Sequence, residues 1–419
     1  MAVNGARETP YAEEIRFLWR VALAVFVITI GIGLVNGQRA GAIDPQAERP
    51  FLLTHLHTGT VGWITLGIFG VAIWLFTAGR AADESSGGVR TLARYAAFAV
   101  GCYPITFFLF YPGGLLSSPA LLGVFGTLAL IAIVWMVVWT IGQAGRVYMS
   151  VARLAALGAV FNLMLGAILG VLVEARFAGL GFPGNVNQGH PAMMTIGYIL
   201  PAAFAIAEWR LGGGVDGRRS LLATIAVGLL IVGGWLAVIA SVAGMRQLFP
   251  PILLFQLAAT VLFVIRMAPR VVRAPWLAPD GERHVAVAAI AFVIDVLLVV
   301  YLIVNYFVPG IPAPRGPGIA LAHTEFVGLM TNSLFAALLL ATTARRKSVW
   351  PWADDVIFWG VNVGWAGFAL VELIGVKSLV AVFTPIMGIS LLIGIATFYV
   401  RLSGAEEPGV APVPVAGGS

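Results

Sequence analysis

The chain has five histidines in 419 residues, and four of them stand where polar sequence gives way to apolar runs. His55 and His57 open LTHLHTGTVGWITLGIFGVAIWLF (53–76), His190 opens another such run, and His323 lies early in a third. The intervals 190 − 57 and 323 − 190 are both 133 residues, and Gly62, Gly197 and Gly328 follow the histidines within two turns. A neutral imidazole is a good ligand for heme iron and for copper. An ionisable group inside a membrane is costly enough that it usually has a partner or a task. On a helix the two imidazoles of HLH are separated by about 200° of rotation, so they serve two different partners. One histidine at a helix mouth is accounted for by a hydrogen bond to a loop carbonyl or to water. Repetition at three equivalent mouths favours ligation. His284 follows DGER and is expected to be solvated on the cytoplasmic side.

The elements that must position these side chains follow from composition. The chain is 60% hydrophobic and 11% charged, with mean hydropathy +0.95. A soluble domain is about half apolar and a quarter charged. The lipid bilayer is therefore the expected solvent, with spans of about 20 apolar residues each. Twelve such runs occur: 17–36, 53–77, 92–111, 119–142, 149–173, 189–209, 219–243, 249–268, 284–308, 319–342, 354–376 and 379–401. The expectation is an all-α membrane protein with twelve transmembrane helices in one domain, 1–402, followed by a disordered Pro/Gly-rich tail, 403–419. The histidine spacing suggests three pseudo-repeated four-helix arcs, 17–142, 149–268 and 284–401.

Charge sets the expected orientation. With the N-terminus inside, Arg39, Arg49, Arg176, Arg246, Arg315 and Lys377 face outward, and the other 19 of the 25 Lys and Arg face the cytoplasm. Both termini are then cytoplasmic, and the histidine mouths open on the outer side of a multi-pass protein of the cell's inner membrane. The net charge of +6 reads as loop bias, not as a nucleic-acid footprint. The single cysteine, Cys102, excludes an internal disulfide and thiolate metal clusters. The first apolar run exceeds a signal-peptide core and reads as a retained helix.

Other polar residues fall inside the spans. Asp295, near the middle of the ninth, suggests a proton relay or cation site, against the plainer reading of a protonated acid bonded to a neighbouring helix. Asn162, Asn332 and Asn362 read as interhelical glue. Glu174, Glu208 and Glu372 lie near helix ends, where interfacial solvation suffices. GxxxxGK[ST], HExxH, GxSxG and CxxCH are all absent, so any heme would be held non-covalently; a b-type heme is the expectation.

In helix count, orientation and histidine placement the chain resembles the subunit I superfamily of heme–copper oxidases and nitric-oxide reductases. HLHTGTVGW (55–63) is similar to the HxH pattern of the C-family oxidases, where it lies on the tenth helix. GHP (189–191) with YILP (198–201) resembles the sixth-helix segment that carries a copper ligand, and LAHTEFVG (321–328) lies on the tenth helix, where the family ligates hemes. There are departures. The seventh span has no histidine, Met194 stands where the family has its tyrosine, and Glu325 replaces a second histidine after His323. An ordinary oxygen-reducing heme–copper centre cannot be assembled from these residues.

The resemblance implies a low-spin heme clamped between the second and tenth helices, by His57 and His323. It leaves His55, which with His190 and Glu325 could frame a second heme or a metal, copper included. The implied function is electron transfer, or handling of a diatomic gas such as nitric oxide or oxygen, with a redox partner protein or quinol as electron source. The alternatives are a transporter of a small molecule, metal or heme with a histidine-lined outer mouth, and a degenerate relative serving assembly or sensing.

Overall fold

The computed structural model describes residues 9–39, 48–81, 88–182 and 185–404. Of the tail expected to be disordered, 405–419 lie outside the described residues. The described residues form helices and no strand. Among the described residues twelve helices are long and apolar enough to cross a membrane, which marks a multi-pass membrane protein. They are α1 (Ala12–Gln38), α2 (Arg49–Thr77), α3 (Val89–Phe110), α4 (Pro119–Ala144), α5 (Val151–Phe177), α6 (Val186–Arg210), α7 (Leu221–Ala243), α8 (Arg246–Val272), α9 (Gly281–Phe307), α10 (Arg315–Ala341), α11 (Ala353–Ile374) and α12 (Lys377–Ser403). Each corresponds to one expected span, with ends shifted by a few residues.

Sequential helices pack as neighbours, and α1 packs on α12, which closes the bundle. Three helices are enclosed. In α2, α6 and α10, 83% of the most apolar window is buried, against 28–56% in the other nine. These are the helices that carry His55, His57, His190 and His323. Small residues admit them to the centre. A Cβ at Gly62 would meet Val25 of α1, one at Gly328 would meet Trp365 of α11, and Gly234 of α7 sits so close to Gly197 that its own Cβ would stand 2.6 Å from the Gly197 Cα.

The end of the bundle away from His55, His57, His190 and His323 is locked by buried arginines. Arg401 of α12 donates to Asp354 of α11 at 2.6 Å, with both side chains at most 1% exposed. Arg283 donates to Asp355 at 2.7 Å and to the Asp354 carbonyl at 2.8 Å. Arg153 donates to Asp216 at 2.9 Å and to the Leu75 carbonyl at 2.7 Å. Arg266 forks onto Glu208. Glu208 is thus buried and paired instead of interfacially solvated. Glu174 is likewise 2% exposed and accepts a hydrogen bond from Tyr103.

His284 also departs from expectation. It is 1% exposed, bonded through Nδ1 to Asn332 Oδ1 at 2.8 Å, and packed edge-on against Phe335 and Phe358. One turn of α9 carries it inside, where a neutral ring bonded to an amide satisfies it. The asparagines tie helices together as expected. Asn162 of α5 donates to the Gly197 carbonyl at 2.6 Å and accepts from Trp235 at 2.8 Å, and Asn332 donates to Asn362 at 2.8 Å.

Candidate functional site

Each central helix loosens into a π-helical segment just past its histidines: Thr58–Thr65 in α2, Met193–Ile199 in α6 and Thr324–Thr331 in α10. π-turns often mark functional positions, because the extra residue re-aims the side chains around it. Threonine hydroxyls support the wider turn: Thr65 donates to the Thr60 carbonyl and Thr331 to that of Phe326, each five residues back. Measured from the first π residue, His55 and His190 both stand three positions before it, and His57 and His323 both stand one before it. Gly62, Gly197 and Gly328 all stand four after it.

The hydrogen bonds sort the four histidines by the same two positions. At the minus-three position, His55 donates Nδ1–H across to the Thr29 carbonyl of α1 at 2.9 Å, and His190 donates to the Gly166 carbonyl of α5 at 2.8 Å. Each of these rings lies on a glycine four residues past its acceptor: a Cβ at Gly33 or at Gly170 would stand 3.0 Å from the Cε1 of His55 or His190. At the minus-one position, His57 and His323 donate to their own helix, to the Leu53 carbonyl at 2.8 Å and the Ile319 carbonyl at 2.9 Å. Each of these rings lies against a phenylalanine: His57 on Phe107 of α3 with centroids 3.9 Å apart, His323 on Phe368 of α11 at 4.4 Å. A carbonyl can only accept, so Nδ1 carries the proton in all four. Each keeps the Nε2 lone pair for a ligand, the arrangement that orients metal-binding histidines.

A cavity of about 750 Å³ opens between α1, α2, α10, α11 and α12, lined by both His55 and His323. Phe26, Trp63, Phe326 and Met387 contribute apolar wall, and Arg315 and Lys377 stand at its rim. The cavity therefore brings His55, not His57, to His323. His57 faces the other way, as the rotation across HLH requires. It lies beside Phe107 and Tyr103, within electrostatic reach of His190. His55, His190 and Glu325 do not converge: among the described residues no group of three or more His, Cys, Asp or Glu side chains stands together as a metal-ligand set.

Glu325 is placed otherwise. It lies in the α10 π segment beside Asp295 of α9, with each residue 2% exposed. Asp295 Oδ1 and Glu325 Oε1 have no hydrogen-bond partner among the described residues. Sequence reasoning singled out both acids without placing them near each other. It also missed Tyr103 with Glu174, and the rim cation Arg315. No protein-family model and no curated protein matches the chain.

Proposed function

We propose that this is a membrane heme protein built on the oxidase subunit I plan, with a non-covalent b-type heme held between α2 and α10 by His55 and His323. The observation that carries the reading is one apolar cavity offering two imidazoles whose Nδ1–H groups are already committed to backbone carbonyls. A bare ion needs three or four protein ligands, whereas a porphyrin brings its own ring nitrogens and asks the protein for one or two axial ones. Among the described residues no third His, Cys, Asp or Glu stands with the two histidines as a ligand set, so the pair fits heme better than copper. Arg315 and Lys377 line the cavity beside Glu372, and their charge beyond that one carboxylate is available to carboxylate substituents of the ring. With both axial positions taken by histidine, the bound group would supply one-electron exchange. The protein supplies axial ligands, dry walls and an outward-facing mouth, the orientation favoured by the Lys/Arg distribution. Electrons come from a partner protein or quinol, and the Asp295–Glu325 pair is assigned to proton relay.

Purified protein should give a pyridine-hemochrome signal and sharp reduced-minus-oxidised bands that lose a component in His55→Ala and in His323→Ala. Heme at less than one per several chains, or bands unchanged in both variants, would sink the proposal. A second cavity favours a transport reading that does not use the histidines. It measures about 880 Å³ between α6, α7, α8, α9 and α10, has no histidine in its wall, and carries Asn185, Asn187, Gln188 and Arg246 at its polar side. Uptake of a small polar solute by vesicles containing heme-free protein would promote that reading.

A further inference from the structure

We infer that the chain holds a second bis-histidine heme, between α2 and α6, with His57 and His190 as its axial pair; this rests on the reading that heme occupies the first site. The argument is that the two pairs are built by one rule. In the first, the minus-three histidine of α2 (His55) bonds the carbonyl of α1 and lies on its glycine, and the minus-one histidine of α10 (His323) bonds its own helix and lies on a phenylalanine. In the second, the minus-three histidine of α6 (His190) does the same with α5, and the minus-one histidine of α2 (His57) does the same with Leu53 and Phe107. One step around the three central helices, α2 to α6 and α10 to α2, carries one pair onto the other.

The rim repeats as well. Arg315 opens α10 nine residues before its π segment, and Arg49 opens α2 nine residues before its own. The Arg49 guanidinium lies over the Tyr111 ring, 5.8 Å from its centroid, at the mouth side of the second pair. Tyr103 stands edge-on to His57 with ring centroids 6.2 Å apart, and it bonds the buried Glu174. Among the described residues no third His, Cys, Asp or Glu joins this pair as a ligand set, which again selects a ligand that supplies its own equatorial nitrogens.

The third step, α6 to α10, completes the rule by exception. The minus-three position of α10 is Leu321 and the minus-one position of α6 is Ala192. Both line the second cavity. A cavity opens at this position, as at the first pair, and the ligands are missing. Two liganded sites and one blank follow.

The test is heme stoichiometry and spectra of the full-length protein. Wild type should carry two hemes per chain. His57→Ala and His190→Ala should each leave one, with the bands lost in His323→Ala still present. His323→Ala/His190→Ala should carry none. His190→Met should retain two hemes and raise one of two reduction potentials, since thioether ligation favours the reduced iron. One heme in wild type, unchanged by His57→Ala and His190→Ala, overturns the second site and leaves the first standing. No heme in wild type overturns both. Loss of both hemes from a monodisperse His190→Met protein overturns the independence of the two sites.

Discussion

At the scale of single residues, the four histidines proposed as ligands are prepared by their neighbours. Each spends its Nδ1 proton on a carbonyl, which fixes the tautomer before any ligand arrives. Gly33 and Gly170 leave the flat space on which His55 and His190 lie. Gly33→Val should push the His55 ring away and lower retention of the first-site heme alone, and Gly170→Val should do the same for the second. Retained-heme spectra after gel filtration check both, and equal losses at both sites in either variant would contradict the assignment. His284 carries a different lesson. Its flanking DGER reads as a solvated edge, yet α9 begins within the bundle and the ring is received by Asn332. Local composition does not report which face of a helix end is covered. Asn332→Leu leaves that imidazole unpaired and should cost about 1–3 kcal/mol, read as a lowered unfolding temperature in detergent.

At the scale of elements, the spans were legible because hydropathy over about 20 residues is a strong signal. The π segments were not, since widening a helical turn depends on threonine back-bonding and on what packs outside it. The glycine echo at Gly62, Gly197 and Gly328 was their one trace in the sequence. The opposed faces of His55 and His57 were also legible, from rotation alone. Which of them would meet His323 was not, because that depends on how α10 docks. That docking is pinned by Trp63 of α2, which donates to Thr331 of α10 at 3.1 Å. Trp63→Phe should cost about 0.5–1.5 kcal/mol and Thr331→Val a similar amount, and the double variant should cost clearly less than their sum. Full additivity in thermal unfolding would show that the bond does not couple the helices. The blank third position allows a constructive trial: Ala192→His with Leu321→His should raise the heme content by one per chain, measured against protein concentration.

At the scale of the whole molecule, orientation decides which compartment the cavities meet. On a Cys102→Ser background, Phe182→Cys, between α5 and α6, should react with a membrane-impermeant maleimide added to intact cells, and Arg218→Cys, between α6 and α7, should not. The reverse pattern would place the histidine mouths on the cytoplasmic side and undo the reading of the Lys/Arg distribution. The Arg401–Asp354 lock bears on how the molecule is made. Synthesis delivers Asp354 well before Arg401, and the acid settles dry only when its partner arrives. Until then the start of α11 must keep its carboxylate in water or lean on Arg346, 3.3 Å away. The last helix is therefore the latch that lets its predecessor seat. A chain released from the ribosome after residue 374 should be a substrate for membrane quality control, although both proposed axial pairs would already have been synthesised.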